Sequence, residues 1–351
     1  MDYENNSNFG QAPSPAEPNP PSYQSTPMTQ ANKPRKRTGW KILLGIFVAL
    51  SVLANIILFL ALIGMFAVFA TGQRGIFTEE VIQTGPKTAK IAVIALEGLI
   101  DAEKAEEVYT LLKTARQDKR VKGLIIKINS PGGMISASDE IFNEILKYRS
   151  EIEKPVVAFM QGMATSGGYY VSAACNEIVA EPTTITGSIG VIMGHFVFQE
   201  LLEEKLGIVP VIFKSGQKKD WPSPFQQPTE EQKQYIRDKL ITPAYERFVQ
   251  IVADGREQLS ADQVRELADG SIYGAEEALD EKLIDKIGYL DDAIETAMSL
   301  AQLETAQVIE YRKPFSLSNF LRSSAKSFLK IDRSTLYELS TPQLMYLWSL
   351  Y

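Results

Sequence analysis

From Ile42 to Ala70 the chain carries no charged residue. It runs through Leu, Ile, Val, Phe and Ala, interrupted by Gly45, Ser51, Asn55 and Gly64. Roughly 20 apolar residues suffice to cross a bilayer core, whereas the apolar part of a cleavable signal is only about 7 to 15 long. The run therefore predicts a transmembrane helix rather than a removable leader or a buried core helix. Lys33, Arg35, Lys36, Arg37 and Lys41 precede it, and Arg74, Glu79 and Glu80 follow it. Basic residues collect on the cytoplasmic side of a span, so the N-terminus is expected in the cytosol and everything beyond residue 75 outside the cell membrane. Residues 1–32, rich in Pro, Asn, Ser and Gln, have too few aliphatic side chains to offset the entropy of ordering and are expected to be disordered.

The net charge of -7 comes from 43 acidic against 36 basic residues, and the basic ones are scattered except before the span. Nucleic acid is not an expected partner. With one cysteine, Cys175, and one histidine, His195, the chain can form neither an intrachain disulfide nor a Cys/His zinc site, and no metal or cofactor is implied.

Beyond Lys90 strand and helix signals alternate. IAVIALEGLI (91–100), GLIIKI (123–128), PVVAFM (155–160) and VPVIFK (209–214) read as strands. Helices are predicted over 102–119, 136–148, 229–254 and most of 276–303. Alternation of this kind implies a mostly parallel sheet with flanking helices.

In such sheets ligands bind where strands end and helices begin. Two glycine turns fall there. One is Asn129-Ser130-Pro131-Gly132-Gly133; the other, Thr165-Ser166-Gly167-Gly168, would place Ser166 at the start of a helix near Tyr169. Bare amides at glycines can approach a bound group closely and stabilise developing negative charge. Neither turn matches G-x-S-x-G, which argues against an α/β-hydrolase elbow. Gly-rich turns also serve purely structural roles. A serine nucleophile needs a base. His195, opening the segment FVFQELLEEKLG after an apolar stretch, suits a capping or interface role better. Lysine is the remaining common partner for serine, and the most suggestive lysines lie in the loop Lys214-Ser215-Gly216-Gln217-Lys218-Lys219-Asp220, directly after the VPVIFK segment. A lysine base near neutral pH must have its pKa about 3 below the usual ~10.4, through desolvation or neighbouring positive charge. Composition does not choose among these lysines, and an exposed basic turn is the plainer reading.

Taken in order, NSPGG (129–133), MATSGGYYVSAAC (163–175), TTITGSIGVIMG (183–194) and FKSGQKKD (213–220) resemble the short form of bacterial signal peptide peptidase A, over about residues 88–300. The resemblance implies a ClpP/crotonase-like α/β fold with parallel sheet layers and flanking helices, preceded by one transmembrane helix. It implies a serine endopeptidase that degrades remnant signal peptides after their release from secreted proteins. Carried onto this chain, it gives Ser166 as nucleophile and Lys219 as general base. Gly133 and Gly167 become the oxyanion-hole amides, and Ser188 a lysine-orienting residue. Thr165 stands where alanine is frequent in the family. The resemblance also implies a homo-oligomer, an octameric ring whose active sites are shared between neighbouring protomers. A membrane tether fits an apolar substrate left in lipid, because it raises the local concentration of enzyme near substrate.

The expected organisation is a cytoplasmic tail with its basic cluster (1–41), a transmembrane helix (42–70), a linker (71–88), a protease domain (89–312) and a C-terminal tail (313–351). That tail has apolar residues over 315–330 and closes with PQLMYLWSLY (342–351). It could occupy the chain's own substrate groove or cover an apolar patch. A crotonase-type enzyme acting on acyl-coenzyme A thioesters would share the oxyanion turns without needing Ser166 and Lys219. A catalytically silent scaffold would tolerate their loss.

Overall fold

The computed structural model describes residues 38–70, 77–313 and 343–348. The chain divides between Gln73 and Arg74 into two compact units. In the first, helix α1 (Thr38–Ala70) covers the apolar run, and its segment Gly39–Gly64 has a mean hydropathy of 2.9, with its side chains exposed among the described residues. That is long and apolar enough to cross a membrane. A helix suits lipid because it satisfies its own backbone polar groups. Asn55 likewise stays within the helix, donating to the Ser51 carbonyl at 2.7 Å. The expected disorder of residues 1–32 and the apolar stretch at 315–330 lie outside the described residues.

The second unit is α/β. It opens with β1 (Thr78–Gln83), β2 (Lys90–Glu97), α2 (Ala102–Gln117) and β3 (Val121–Ser130), then β4 (Gly132–Met134), α3 (Ile135–Ile152), β5 (Val156–Thr165) and α4 (Gly167–Ser172). Short strands β6 (Glu177–Ala180), β7 (Ile185–Gly187) and β8 (Ile192–Gly194) follow, then α5 (Glu230–Ile236), α6 (Thr242–Gly255), α7 (Ala261–Leu267), β9 (Ile272–Gly274), α8 (Ala275–Asp280), β10 (Lys286–Ile287), α9 (Leu290–Leu300), β11 (Gln307–Arg312) and β12 (Gln343–Leu347).

The main sheet runs β1-β11-β2-β3-β5-β6-β10, parallel except for β1 against β11; β7 continues beside the end of β5, with β9 antiparallel to it. Its central strands are buried on both faces, as parallel sheets covered by helices must be. Ile94, Leu124, Ile126 and Ala158 face one core with α2 and α3; Ile91, Val93, Ile125 and Val157 face the other with Ala293, Ile294 and Ala297 of α9. Helix α2 starts where Asp101 caps it by accepting from the Lys104 amide at 2.8 Å, and buries the stripe Ala105, Val108, Leu111, Leu112 and Ala115.

Four sequence expectations need correction. Residues 209–214 form no strand: the segment is irregular and exposed, with Val209 and Val211 71% and Phe213 94% accessible. Its β-branched residues suit a strand, yet a strand needs a pairing neighbour, and among the described residues none takes it. The single helix expected over 229–254 is interrupted by a π turn at Arg237–Ile241. Pro243, early in α6, has no amide to donate back one turn, which accounts for the widened turn. Its start is as expected, with Thr229 and Gln232 forming a reciprocal capping box. The helix expected over 276–303 is two helices, α8 and α9, separated by β10. There Asp285 is held to the sheet edge, accepting from the Ile178 amide at 2.8 Å and pairing with both terminal nitrogens of Arg256 at 2.7 Å. The stretch 71–88, expected as a linker, carries β1.

Candidate active site

The two glycine turns meet. After β3 the Ser130 hydroxyl donates to the Gly98 carbonyl at 2.6 Å and accepts from the Gly132 amide at 3.0 Å, closing the turn. Gly132 has φ of 97°, a conformation that favours glycine. Ile100 takes the Gly132 carbonyl at 2.9 Å and the Met134 amide at 2.8 Å. Those bonds occupy the groups on either side of Gly133, so the Gly133 amide between them faces the opposite way, as alternate strand groups do. A side chain at Gly133 would strike the Ile100 carbonyl at 2.1 Å.

Across from this turn, β5 ends at Thr165 and the chain bends sharply through Ser166. Its φ of 53° and ψ of -113° lie outside the usual regions for a residue with a side chain. The Ser166 amide donates to Gly187 at 2.7 Å and its carbonyl accepts from Tyr170 at 2.8 Å. Ser166 is 1% exposed. A Cβ on Gly167 would lie 3.1 Å from the Gly133 nitrogen and 2.6 Å from Ser138 Oγ; one on Gly132 would lie 2.7 Å from the Gly167 nitrogen. The amides of Gly133 and Gly167 are thus close neighbours, next to Ser166.

Strand β12 lies between β4 and β8, antiparallel to both. Tyr346 pairs with Gly133 and Leu347 with Gly132, while the Trp348 amide donates to Pro131 at 2.9 Å. The Tyr346 carbonyl oxygen comes within 2.2 Å of where a Gly132 Cβ would stand, near the Gly167 amide. The Tyr346 side chain is wholly buried. Its ring stacks on Tyr170 at 4.8 Å and tilts against Phe248 at 4.7 Å, and its hydroxyl donates to the Ala244 carbonyl at 2.8 Å. Tyr170 donates in turn to Asp139 at 2.6 Å, which Arg247 Nε also reaches at 2.9 Å. Burial, and then the bond to Asp139, raise the Tyr170 phenol above its ordinary range, so it remains a neutral donor. Sequence reading missed this aromatic pocket, because Tyr170 of α4, Ala244 and Phe248 of α6, and Tyr346 of β12 lie far apart along the chain.

Ser188 follows Gly187, the acceptor for Ser166. It has φ of 50° and donates its amide to Ser271 at 2.7 Å. It lines a cavity of about 580 Å³ together with Tyr245, Asp269 and Trp348. Lys219 is elsewhere: it sits exposed in a short turn at Gln217–Asp220, and no hydrogen bond joins it to Ser166. The three candidate lysines are nonetheless distinguishable. Lys214 is paired to Asp220 at 2.8 Å, and the Lys218 ammonium lies over the rings of Tyr235 at 4.4 Å and Trp221 at 5.3 Å. Lys219 has no ion pair among the described residues. His195 bonds the Ser223 carbonyl through Nε2 at 3.0 Å, not Ser166. Cys175 is no rival nucleophile, since burial pushes its thiol up to about 12.

The Peptidase family S49 model matches residues 149–304 and the Clp protease model residues 78–184. A protein of Enterococcus faecium bearing the name signal peptide peptidase SppA is 38% identical over 246 residues, 67% of this chain and 70% of that one. Protease 4 of Haemophilus influenzae is 36% identical over 220 residues, 60% of this chain but 35% of its own length. The chloroplastic serine protease SPPA of Arabidopsis thaliana is 33% identical over 234 residues, 66% of this chain and 34% of that protein. These matches decide for peptide-bond hydrolysis over acyl-thioester chemistry on a shared fold. The chain belongs to peptidase family S49 and is a serine-type peptidase of the signal peptide peptidase A kind.

Proposed function

We propose that this peptidase is anchored in the cell membrane by α1, with its N-terminus cytoplasmic and its catalytic unit outside, and that it degrades the apolar remnants of signal peptides. Ser166 is the nucleophile, Lys219 of a neighbouring copy the general base, and the Gly133 and Gly167 amides the oxyanion donors. The observation that carries this reading is β12: an apolar peptide segment lies antiparallel in a groove beside Ser166, with its Tyr346 carbonyl next to the Gly167 amide.

On this reading Ser166 Oγ adds to the substrate carbonyl carbon while its proton passes to the lysine Nζ. The carbonyl electron pair moves onto oxygen, where the two amides bind it. Collapse breaks the carbon–nitrogen bond and the lysine ammonium returns its proton to the leaving amine. Water, deprotonated by the same lysine, then adds to the acyl carbon; the ester bond to Ser166 breaks, and the lysine ammonium gives the proton to Ser166 Oγ, which restores the starting enzyme.

A lysine serves as base when it is removed from water. Two features support a partner copy as the source. Lys219 is exposed in its own chain, and the irregular segment before it presents Val209, Val211 and Phe213 unpaired. The cavity beside Ser188 has room for an incoming lysine, which the Ser188 hydroxyl would orient. A closed ring, an octamer by the family resemblance, would cover the exposed segment at every protomer.

The test uses full-length protein in detergent and an apolar fluorogenic peptide. Ser166→Ala and Lys219→Ala are expected to abolish turnover, and His195→Ala and Lys218→Ala to leave it nearly intact. A dead His195→Ala beside an active Lys219→Ala would overturn the base assignment.

A further inference from the structure

Among the described residues, six buried side-chain polar atoms have no hydrogen-bond partner, and Ser138 Oγ is one of them. Ser138 lies in the second turn of α3 and is 0% exposed. A helical hydroxyl has an easy partner in the carbonyl one turn back. Thr110, Thr114, Ser172 and Thr296 all take it, at 2.8 to 2.9 Å. Ser138 does not. Its oxygen instead lies against Gly167, 2.6 Å from where a Cβ would stand, and that same point is 3.1 Å from the Gly133 nitrogen.

An unpaired buried hydroxyl works against stability, and alanine at this site would remove that cost. What alanine could not supply is an atom at the oxygen's place, 2.6 Å from where a Gly167 Cβ would stand. The Tyr170 bond to the Ser166 carbonyl sets the peptide plane that carries the Gly167 amide, and the Ser138 oxygen stands on the side of Gly167 where a Cβ would lie, which limits how far that plane can tilt. We infer that Ser138 is a positioning residue: its hydroxyl oxygen braces Gly167 so that the Gly167 and Gly133 amides converge on one oxyanion. This rests on the oxyanion role proposed for those amides. The brace acts when charge develops on the substrate oxygen, so it belongs to the rate of the chemical step rather than to peptide binding.

The experiment compares Ser138→Ala and Ser138→Cys with the unmodified full-length protein in detergent. Readouts are peptide kinetics, thermal midpoint and affinity for a peptide boronate, whose serine adduct is tetrahedral and anionic. For Ser138→Ala we expect kcat to fall about ten-fold, less than the roughly 100-fold or more of losing an oxyanion donor outright, with KM within about two-fold. Boronate affinity should fall with kcat, while the thermal midpoint stays level or rises. Ser138→Cys, which restores an atom at that contact, should recover much of the rate. An unchanged kcat, or a loss that tracks a lowered midpoint, overturns the brace. Ser166→Ala is run alongside. If it is inactive, a failed Ser138 result counts against the brace alone; if it keeps full activity, the nucleophile assignment and the brace both fall.

Discussion

Ser166 holds its backbone in a region that costs a residue with a side chain about 1–3 kcal/mol, and the fold maintains it with two backbone hydrogen bonds, to Gly187 and from Tyr170. Its position was readable from sequence because T-S-G-G follows an apolar strand. Its strain was not, since that depends on β7 arriving alongside β5. Single residues also govern the acid limit of the fold. The Arg120 guanidinium, helped by Lys90, holds the Asp118 carboxyl well below the usual carboxylate range, and Lys90 is itself buried between Asp118 and Glu79. A carboxyl depressed in the folded state stabilises it above the unfolded pKa, about 3.9, and that contribution fades as pH falls toward the folded value. Asp118→Asn should therefore lower the thermal midpoint at pH 7 and lose less than the parent on acidification below about pH 4. Thermal unfolding of both proteins across that range checks it; a gap that persists undiminished to the lowest pH counts against the assignment.

At the scale of elements, β12 and the segment 207–214 are mirror cases. Each is short and rich in strand-forming residues. β12 finds two partners, β4 and β8, and a pocket for Tyr346, while 207–214 finds no pairing strand among the described residues. On sequence alone 209–214 reads as a strand and 342–351 only as an apolar tail, and the structure reverses the two, because pairing is a property of the neighbour as much as of the strand. A tethered segment competes with free substrate at an effective concentration that reaches the millimolar range for short flexible links. If β12 occupies the substrate groove as proposed, deleting residues 342–351 should lower the apparent KM for an added peptide several-fold with kcat little changed. Identical kinetics with and without the tail would mean that it merely covers an apolar surface.

For the whole molecule the decisive matter is where the base comes from. If the sites are shared between copies as proposed, assemblies of equal amounts of Ser166→Ala and Lys219→Ala chains should regain up to about a quarter of parental activity. That is the chance that an intact serine meets an intact neighbouring lysine across a head-to-tail interface. Rings whose sites each draw both groups from one chain would stay inactive. Phe213→Asp, placed on the most exposed large apolar side chain among the described residues, should weaken the assembly and the activity together, as sedimentation and turnover would show.

By itself the sequence determined the apolar helix, the alternation that makes a parallel sheet, and the two glycine turns at strand ends, because each is written in residues close together along the chain. Its scarcity of histidine also turned the proposal for a base toward lysine. Tertiary structure alone decided that Gly133 and Gly167 adjoin, that Tyr346 is buried among Tyr170 and Phe248, that Lys218 rests on aromatic rings, and that 209–214 is no strand. Those contacts join residues far apart in the chain, and their energies exist only once folding has brought both sides together.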